Sequence, residues 1–254
     1  MSLNIWTLCE GVRRQKSLAL DVWRVVEGQH VVSTRKLVDS DDEQHLLETL
    51  IDTAKPNVPD DIAPLKLDFL LYTPFRYPPL TYGSRFGTRT ERGIFYGSLK
   101  PETALAEKAY HRLLFLEATE GDLGLLETEH TAFRVGVRTE HGIDLTEFPF
   151  TRFEAQISSP TQYTDTHTLG RQMREAGVEG FVFVSARAPQ RGLNVGLFAP
   201  AFSSRVPHRR RPVWWCSASK QRVEFREKNT LHPKSMTFER EVFLVNGALP
   251  RPGA

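Results

Sequence analysis

"GFVFVSARAPQRGLNVGLFAP" occupies residues 180–200 and holds the two runs on which the fold reading turns. "GFVFVSAR" is a strongly apolar strand, and "LNVGLFAP" is its expected neighbour. Ahead of the pair, "TDTHTLGRQMREAG" (164–177) has the pattern of a helix, with Gly177 as its left-handed stop. "AFRVGVRT" (132–139) and "FEAQISS" (153–159) alternate like antiparallel strands. Beyond the pair, "KQRVEFR" (220–226) and "FEREVFLV" (238–245) alternate in the same way. Strands outnumber helices, and the helices are interleaved irregularly. That pattern predicts an α+β fold with mixed, largely antiparallel sheets, not a doubly wound one.

The N-terminal half adds to the same picture. "VWRVVEGQHVVSTRKLV" (22–38) is rich in β-branched residues and reads as strand material broken at Gly28. "SDDEQHLLETLIDTAKP" (40–56) predicts a helix. Ser40 and Glu43 form a capping box, Asp41 and Asp42 suit the positive end of the helix dipole, and Pro56 forbids continuation. Leu46, Leu47, Leu50 and Ile51 share one face. Residues 65–72 predict a strand, followed by prolines at 74, 78 and 79 that hold the chain extended. "GIFYGS" (93–98) is a short buried strand, and Pro101 suits the first turn of the helix after it.

Composition bounds the function classes. With 254 residues, 40% hydrophobic and 25% charged, the chain is neither disordered nor fibrous. No apolar run approaches the roughly 20 residues of a membrane span. The first twenty residues lack the pattern of a signal peptide. Cys9 and Cys216 read as two unpaired thiols in a reducing compartment, so a cytoplasmic location is expected. The eight histidines make no zinc-like spacing, and no metal site is expected. A net charge of +2 does not by itself imply nucleic-acid binding. The one basic cluster, "HRRRP" (208–212), precedes Trp214 and Trp215 and reads first as a solvated loop.

Three residues stand out in "GSRFGTRTERGIFYGSLKPETALAEKAY" (83–110): Arg85 in the loop, Tyr96 in the strand and Glu107 two turns into the helix. Together with "REAGVEGFVFVSARAPQRGLNVGLF" (174–198), they make the chain resemble the RES domain, named for Arg, Glu and Ser. The matching positions are Arg85, Phe86, Tyr96, Glu107, Ser185, Arg187 and Asn194, with Arg24 in "VWRVVE" as a further candidate. On this resemblance the chain is one RES-like domain over 1–254, with a core at about 22–198 and a C-terminal extension at 199–254. The resemblance implies a fold related to ADP-ribosyltransferases. It implies an enzyme that consumes NAD as substrate, with no prosthetic group, by glycohydrolysis, phosphorolysis or ADP-ribosyl transfer. It also implies a toxin with a helix-turn-helix antitoxin as partner, and a protein acceptor in the transferase case.

The residue types suit that chemistry. Breaking the nicotinamide–ribose bond of NAD develops positive charge on the sugar. A pocket for it needs cations near the phosphates, an aromatic wall and a carboxylate near the ribose. Arg85 is a bidentate phosphate ligand or a surface loop arginine. Arg24, in an apolar strand, is either ion-paired or ligand-facing. Tyr96 stacks on the nicotinamide or is core. Glu107, among alanines, is either exposed on the far side of its helix or buried for a purpose. In the second case it stabilises an oxocarbenium-like transition state. Ser185 is a donor to phosphate or ribose, or a strand-end cap. Asn194 reads as a turn residue, and Arg76 is either a third phosphate ligand or packed among the prolines around it. The competing readings are a non-catalytic binding module using 208–215 and a serine hydrolase. The latter is weakened by the missing G-x-S-x-G elbow.

Overall fold

The computed structural model describes residues 4–28, 38–79, 82–121, 123–229 and 231–251. Its strands are β1 (Lys16–Glu27), β2 (Phe95–Ser98), β3 (Leu126–Asp144), β4 (Gly180–Val184), β5 (Leu193–Leu197), β6 (Val213–Ala218), β7 (Arg222–Glu227) and β8 (Ser235–Glu239). The helices are α1 (Ile5–Leu8), α2 (Asp41–Ala54), α3 (Phe69–Arg76), α4 (Pro101–Ala118), α5 (Glu154–Ile157) and α6 (Thr164–Glu175). The strands form one sheet in the order β1-β2-β5-β4-β3-β6-β7-β8, and β1 also pairs with β3. That extra pairing closes β1, β2, β5, β4 and β3 into a ring, from which β6, β7 and β8 extend. Among the described residues every pairing is antiparallel except β3 with β4. The fold is therefore α+β with a mixed, mostly antiparallel sheet, as the residue pattern predicts.

Strand alternation sorts the core. Phe95 of β2 shares one face with Val22, Val135, Val182 and Val195, and α3 closes that face with Leu71 and Phe75. Tyr96 points the other way, toward Phe181, Phe183 and the residues of α1 and α6. A third cluster lies under α4, where Leu105, Ala106, Ala109, Leu113 and Leu116 pack on Cys216, Val223, Phe225 and Phe238 of β6–β8. The C-terminal extension is thus built into the same sheet. Both cysteines are buried and free. No helix among the described residues is long and apolar enough to cross a membrane.

Several local expectations differ from what forms. Residues 65–72 are not a strand: a 3₁₀ turn (Ala63–Leu65) leads into α3, whose N-cap Asp68 accepts from the Leu70 amide (2.9 Å). Residues 153–159 are not a strand either, but a 3₁₀ turn and α5. In 238–245 only the start is strand, since a 3₁₀ turn (Arg240–Phe243) follows β8. β6 is an additional strand. β1 begins earlier than residue 22, and residues 29–37 of the stretch read as strand lie outside the described residues. The serine half of the predicted capping box of α2 forms, with the Glu43 amide donating to Ser40 Oγ (3.2 Å), while Glu43 Oε2 accepts from the Asp39 amide (2.9 Å), one residue ahead of the N-cap. The apolar stripe of α2 does not become core, because Leu46, Leu50 and Ile51 remain exposed.

Candidate active site

β1 and β2 share one residue pair in register, Trp23 with Ser98. Beside this short joint lies a cavity of about 540 Å³, within the range usual for small-molecule sites. One face of α4 forms a wall. Ala104, Glu107, Lys108, His111 and Leu114 line the cavity at helical spacing, while the opposite face of α4 is core. The loop before β2 contributes Arg85, and β2 itself contributes Tyr96 and Ser98. Asn194 and Phe183 come from the β5–β4 pair, where they stand opposite each other. Tyr163 and Arg187 complete the end near Arg85.

Glu107 is the cavity's carboxylate and it is held by design of the strands around it. Ser185 Oγ donates to Glu107 Oε1 (2.6 Å), and Asn194 Nδ2 donates to the same oxygen (2.6 Å). The direction of the serine bond is enforced from behind. Ser185 Oγ accepts from the amides of Arg187 (3.0 Å) and Ala188 (2.8 Å), so its single proton goes to the carboxylate. Asn194 Oδ1 accepts from Ser98 Oγ (2.7 Å), which leaves the NH₂ end toward Glu107. Among the described residues no hydrogen bond reaches Oε2, and Glu107 lines the cavity. Short bonds of this kind to an ionised acceptor are about twice as strong as neutral ones.

Cations surround this carboxylate. Arg24, Arg85, Lys108 and Arg187 line the cavity, against Glu107 as the acidic lining residue. Arg85 NH1 donates to the carbonyls of Ile157 (3.2 Å) and Ser159 (2.7 Å), and its guanidinium sits 4.8 Å from the centre of the Tyr163 ring. Arg187 NH2 donates to the Pro160 carbonyl (2.7 Å), and its guanidinium lies 3.7 Å from the centre of the Tyr110 ring. Neutral carbonyls thus orient both guanidinium groups without neutralising them. The Tyr110 hydroxyl in turn donates to the Pro250 carbonyl, so the C-terminal extension buttresses this wall. At the other end burial pushes the Lys108 ammonium down, with the charge of Glu27 opposing it.

Arg24 has no carboxylate partner among the described residues. Its NH1 donates to the Tyr96 carbonyl (2.7 Å) and its guanidinium lies 4.9 Å from the centre of the Phe95 ring. Burial brings it down to about 10, so it remains a cation at neutral pH. Tyr96 combines the two roles weighed for it. Its ring packs edge-on to Phe183 (6.3 Å) and lines the cavity, while its hydroxyl accepts from the Phe86 amide and bonds Ser84 Oγ, both at 3.1 Å. Burial pushes the phenol up to about 12, so it stays protonated.

Arg24, Arg85, Tyr96 and Glu107 therefore face one cavity. Ser185 is brought to the same site, with its hydroxyl spent on Glu107 rather than opened to the cavity. Arg76 lies elsewhere, bonded to the Pro56 carbonyl. The residue reading did not single out Lys108, Tyr110, His111 or Tyr163. Spacing of 104, 107, 108, 111 and 114 along one helix was the available signal for two of them. Asn194 is a strand residue on the carboxylate, not a turn residue. The loop carrying Arg85 needs two glycines. Gly83 has φ +77°, and Gly170 of α6 lets that helix rest on Phe86, where a Cβ would sit 2.1 Å from the Phe86 carbonyl oxygen.

Comparison with known proteins bears on the same segment. No curated protein sequence matches the chain. Among solved structures, a chain of the M. tuberculosis MbcT-MbcA toxin-antitoxin complex is similar at 10% identity and TM-score 0.43, covering 77% of this chain and 82% of that one. The family model for the RES domain matches residues 60–217. That stretch carries Arg85, Tyr96, Glu107 and Ser185, leaves Arg24 outside, and is more than half of the 254 residues. The chain belongs to the RES domain family.

Proposed function

We propose that this chain is an NAD-consuming enzyme that breaks the bond between the nicotinamide nitrogen and C1′ of the adjoining ribose. One observation carries the reading. Among the described residues, Glu107 is the one carboxylate lining the cavity, with one oxygen anchored by two donors and the other without a hydrogen bond, and the remaining charged lining residues are cations. A dinucleotide with two phosphates and one sugar that becomes cationic is complementary to that pattern.

The chemistry follows from the charges. The bonding pair of the C1′–N bond leaves with the nicotinamide, whose ring nitrogen was cationic and departs neutral. The ribose becomes oxocarbenium-like, and the free oxygen of Glu107 stabilises it or accepts a hydrogen bond from a ribose hydroxyl. Arg24, Arg85 and Arg187 are the candidates to hold the pyrophosphate, and the tyrosines to pack on the rings. Water, phosphate or a protein nucleophile then adds to C1′ and gives up its proton to solvent. Family membership and the Arg85, Tyr96, Glu107 and Ser185 motifs are also what support a toxin role and an antitoxin partner, and the free thiols of Cys9 and Cys216 support a reducing, cytoplasmic location.

Glu107→Gln keeps the shape and removes the charge. It is expected to abolish NAD loss with the unfolding curve little changed, and turnover equal to wild type would remove Glu107 from the mechanism. Incubation in buffer alone, with phosphate, and with cell lysate separates glycohydrolase, phosphorylase and transferase. The non-catalytic reading draws less support. Arg211 is 3.4 Å from Asp68, His208 is 3.8 Å from Asp21, and Trp214 is buried.

A further inference from the structure

We infer that Ser98 is a positioning residue, which steadies the catalytic carboxylate of Glu107 by holding in place the Asn194 amide that donates to it. The inference rests on the NAD-consuming reading for its kinetic part only. Ser98 and Asn194 are direct cross-strand partners in β2 and β5, so their side chains emerge on the same face of the sheet. Both are buried, at 1% and 5% exposure. Ser98 Oγ and Asn194 Oδ1 are 2.7 Å apart, and Asn194 Nδ2 and Glu107 Oε1 are 2.6 Å apart.

A carboxamide is nearly the same shape either way round. Its two orientations differ only in which groups meet the oxygen and the nitrogen. The ionised carboxylate of Glu107 can only accept, so it fixes the NH₂ end toward itself, and Oδ1 takes the serine proton at the other end. The amide is thereby gripped at both ends. Removing Ser98 leaves the buried Oδ1 without its donor, so Asn194 is held by the carboxylate alone. Glu107 Oε1 then keeps one dependable donor, Ser185, and Oε2 is no longer aimed by two fixed points. The hydroxyl of Ser98 thus acts on Glu107 from one residue further back, as outer-shell partners do at metal sites, where their loss costs about 10–100-fold.

The test uses the full chain and two readouts. Ser98→Ala is expected to lower kcat for NAD loss about 10–100-fold with KM for NAD within about twofold, and Ser98→Thr, which keeps the hydroxyl, to restore most of it. In an Asn194→Ala background, Ser98→Ala is expected to cost nothing further. The second readout needs no substrate. The side-chain ¹⁵N–¹H₂ signals of Asn194, assigned by their loss in Asn194→Ala, are expected to be shifted and protected from exchange in wild type, and in Ser98→Ala to lose protection and move toward the positions of a free amide. Equal losses from Ser98→Ala with and without Asn194 would overturn the inference, as would unchanged Asn194 amide signals. If wild type leaves NAD intact, the functional reading falls, and the amide signals still decide the role of Ser98. Should Ser98→Ala not fold, Ser98→Cys, with its weaker donor, is expected to give an intermediate loss in both readouts.

Discussion

Ser185→Ala strikes the site at two levels whose sizes can be worked out separately. The serine oxygen is 6% exposed at the residue level and accepts from the amides of Arg187 and Ala188 at 3.0 and 2.8 Å. Alanine leaves both N–H groups without that acceptor. A buried donor left unpaired costs about 1–3 kcal/mol, so the pair predicts a loss of about 2–4 kcal/mol once partial relaxation is allowed. The same change removes one of the two donors to Glu107 Oε1. Loss of one preorganised donor at a charged centre typically costs about 10²–10³-fold in kcat, and the remaining Asn194 bond places the expectation near the lower figure. Urea unfolding with an unchanged m-value measures the first effect, and the initial rate of NAD loss measures the second. A stability loss under about 0.5 kcal/mol would refute the claim that Ser185 closes the turn after β4. A fully stable variant with unaltered kcat would refute its role in holding the carboxylate.

Two further outcomes are expected. His130 is fully buried against Phe225, and burial, aided by the charges of Lys108 and Arg112, holds it down to about 3. The unfolded chain therefore takes up a proton near pH 6.5 that the folded chain refuses, so stability falls as pH drops from about 6.5 toward 3. At pH 4 this one group accounts for a loss of about 3 kcal/mol relative to pH 7.5, and His130→Phe should lose correspondingly less between those pH values in chemical denaturation. Equal losses in the two proteins would contradict the assignment. Gly170→Ala should destabilise by about 1–3 kcal/mol, against the roughly 1 kcal/mol that alanine normally gains inside a helix, because its Cβ meets the Phe86 carbonyl. It should also raise KM for NAD, since Arg85 is the neighbour of Phe86. A rise in melting temperature would show that α6 does not press on that loop.

The elements that sequence pattern alone conveys are those whose burial follows a regular period. α4 has its start signal in Pro101 and α6 its stop signal in Gly177, and the β4–β5 pair is apolar apart from Asn194, with Phe181, Phe183, Val195 and Leu197 buried. Residues 65–72 and 153–159 deceived because short apolar runs fit both periods. Asp68 as an N-cap was the discriminating signal in the first, and it is a single residue. β6 was hidden by its own alternation, with Trp214 and Cys216 inward and Trp215 outward behind a basic run.

At the site, the chain's order of residues determined that Arg85, Tyr96 and Glu107 come at the end of a loop, within a strand and on a helix face, because loop, strand and helix are local structures set by neighbours a few positions away. Tertiary structure alone decided that Glu107, 78 positions from Ser185 and 87 from Asn194, shares one oxygen with both. It likewise decided that Ser98, 96 positions from Asn194, donates to its amide oxygen. Those contacts depend on β2 pairing with β5 and on α4 crossing above them. Nothing in the spacing of a sequence encodes which strand edges will meet, since that choice belongs to the packing of the whole sheet.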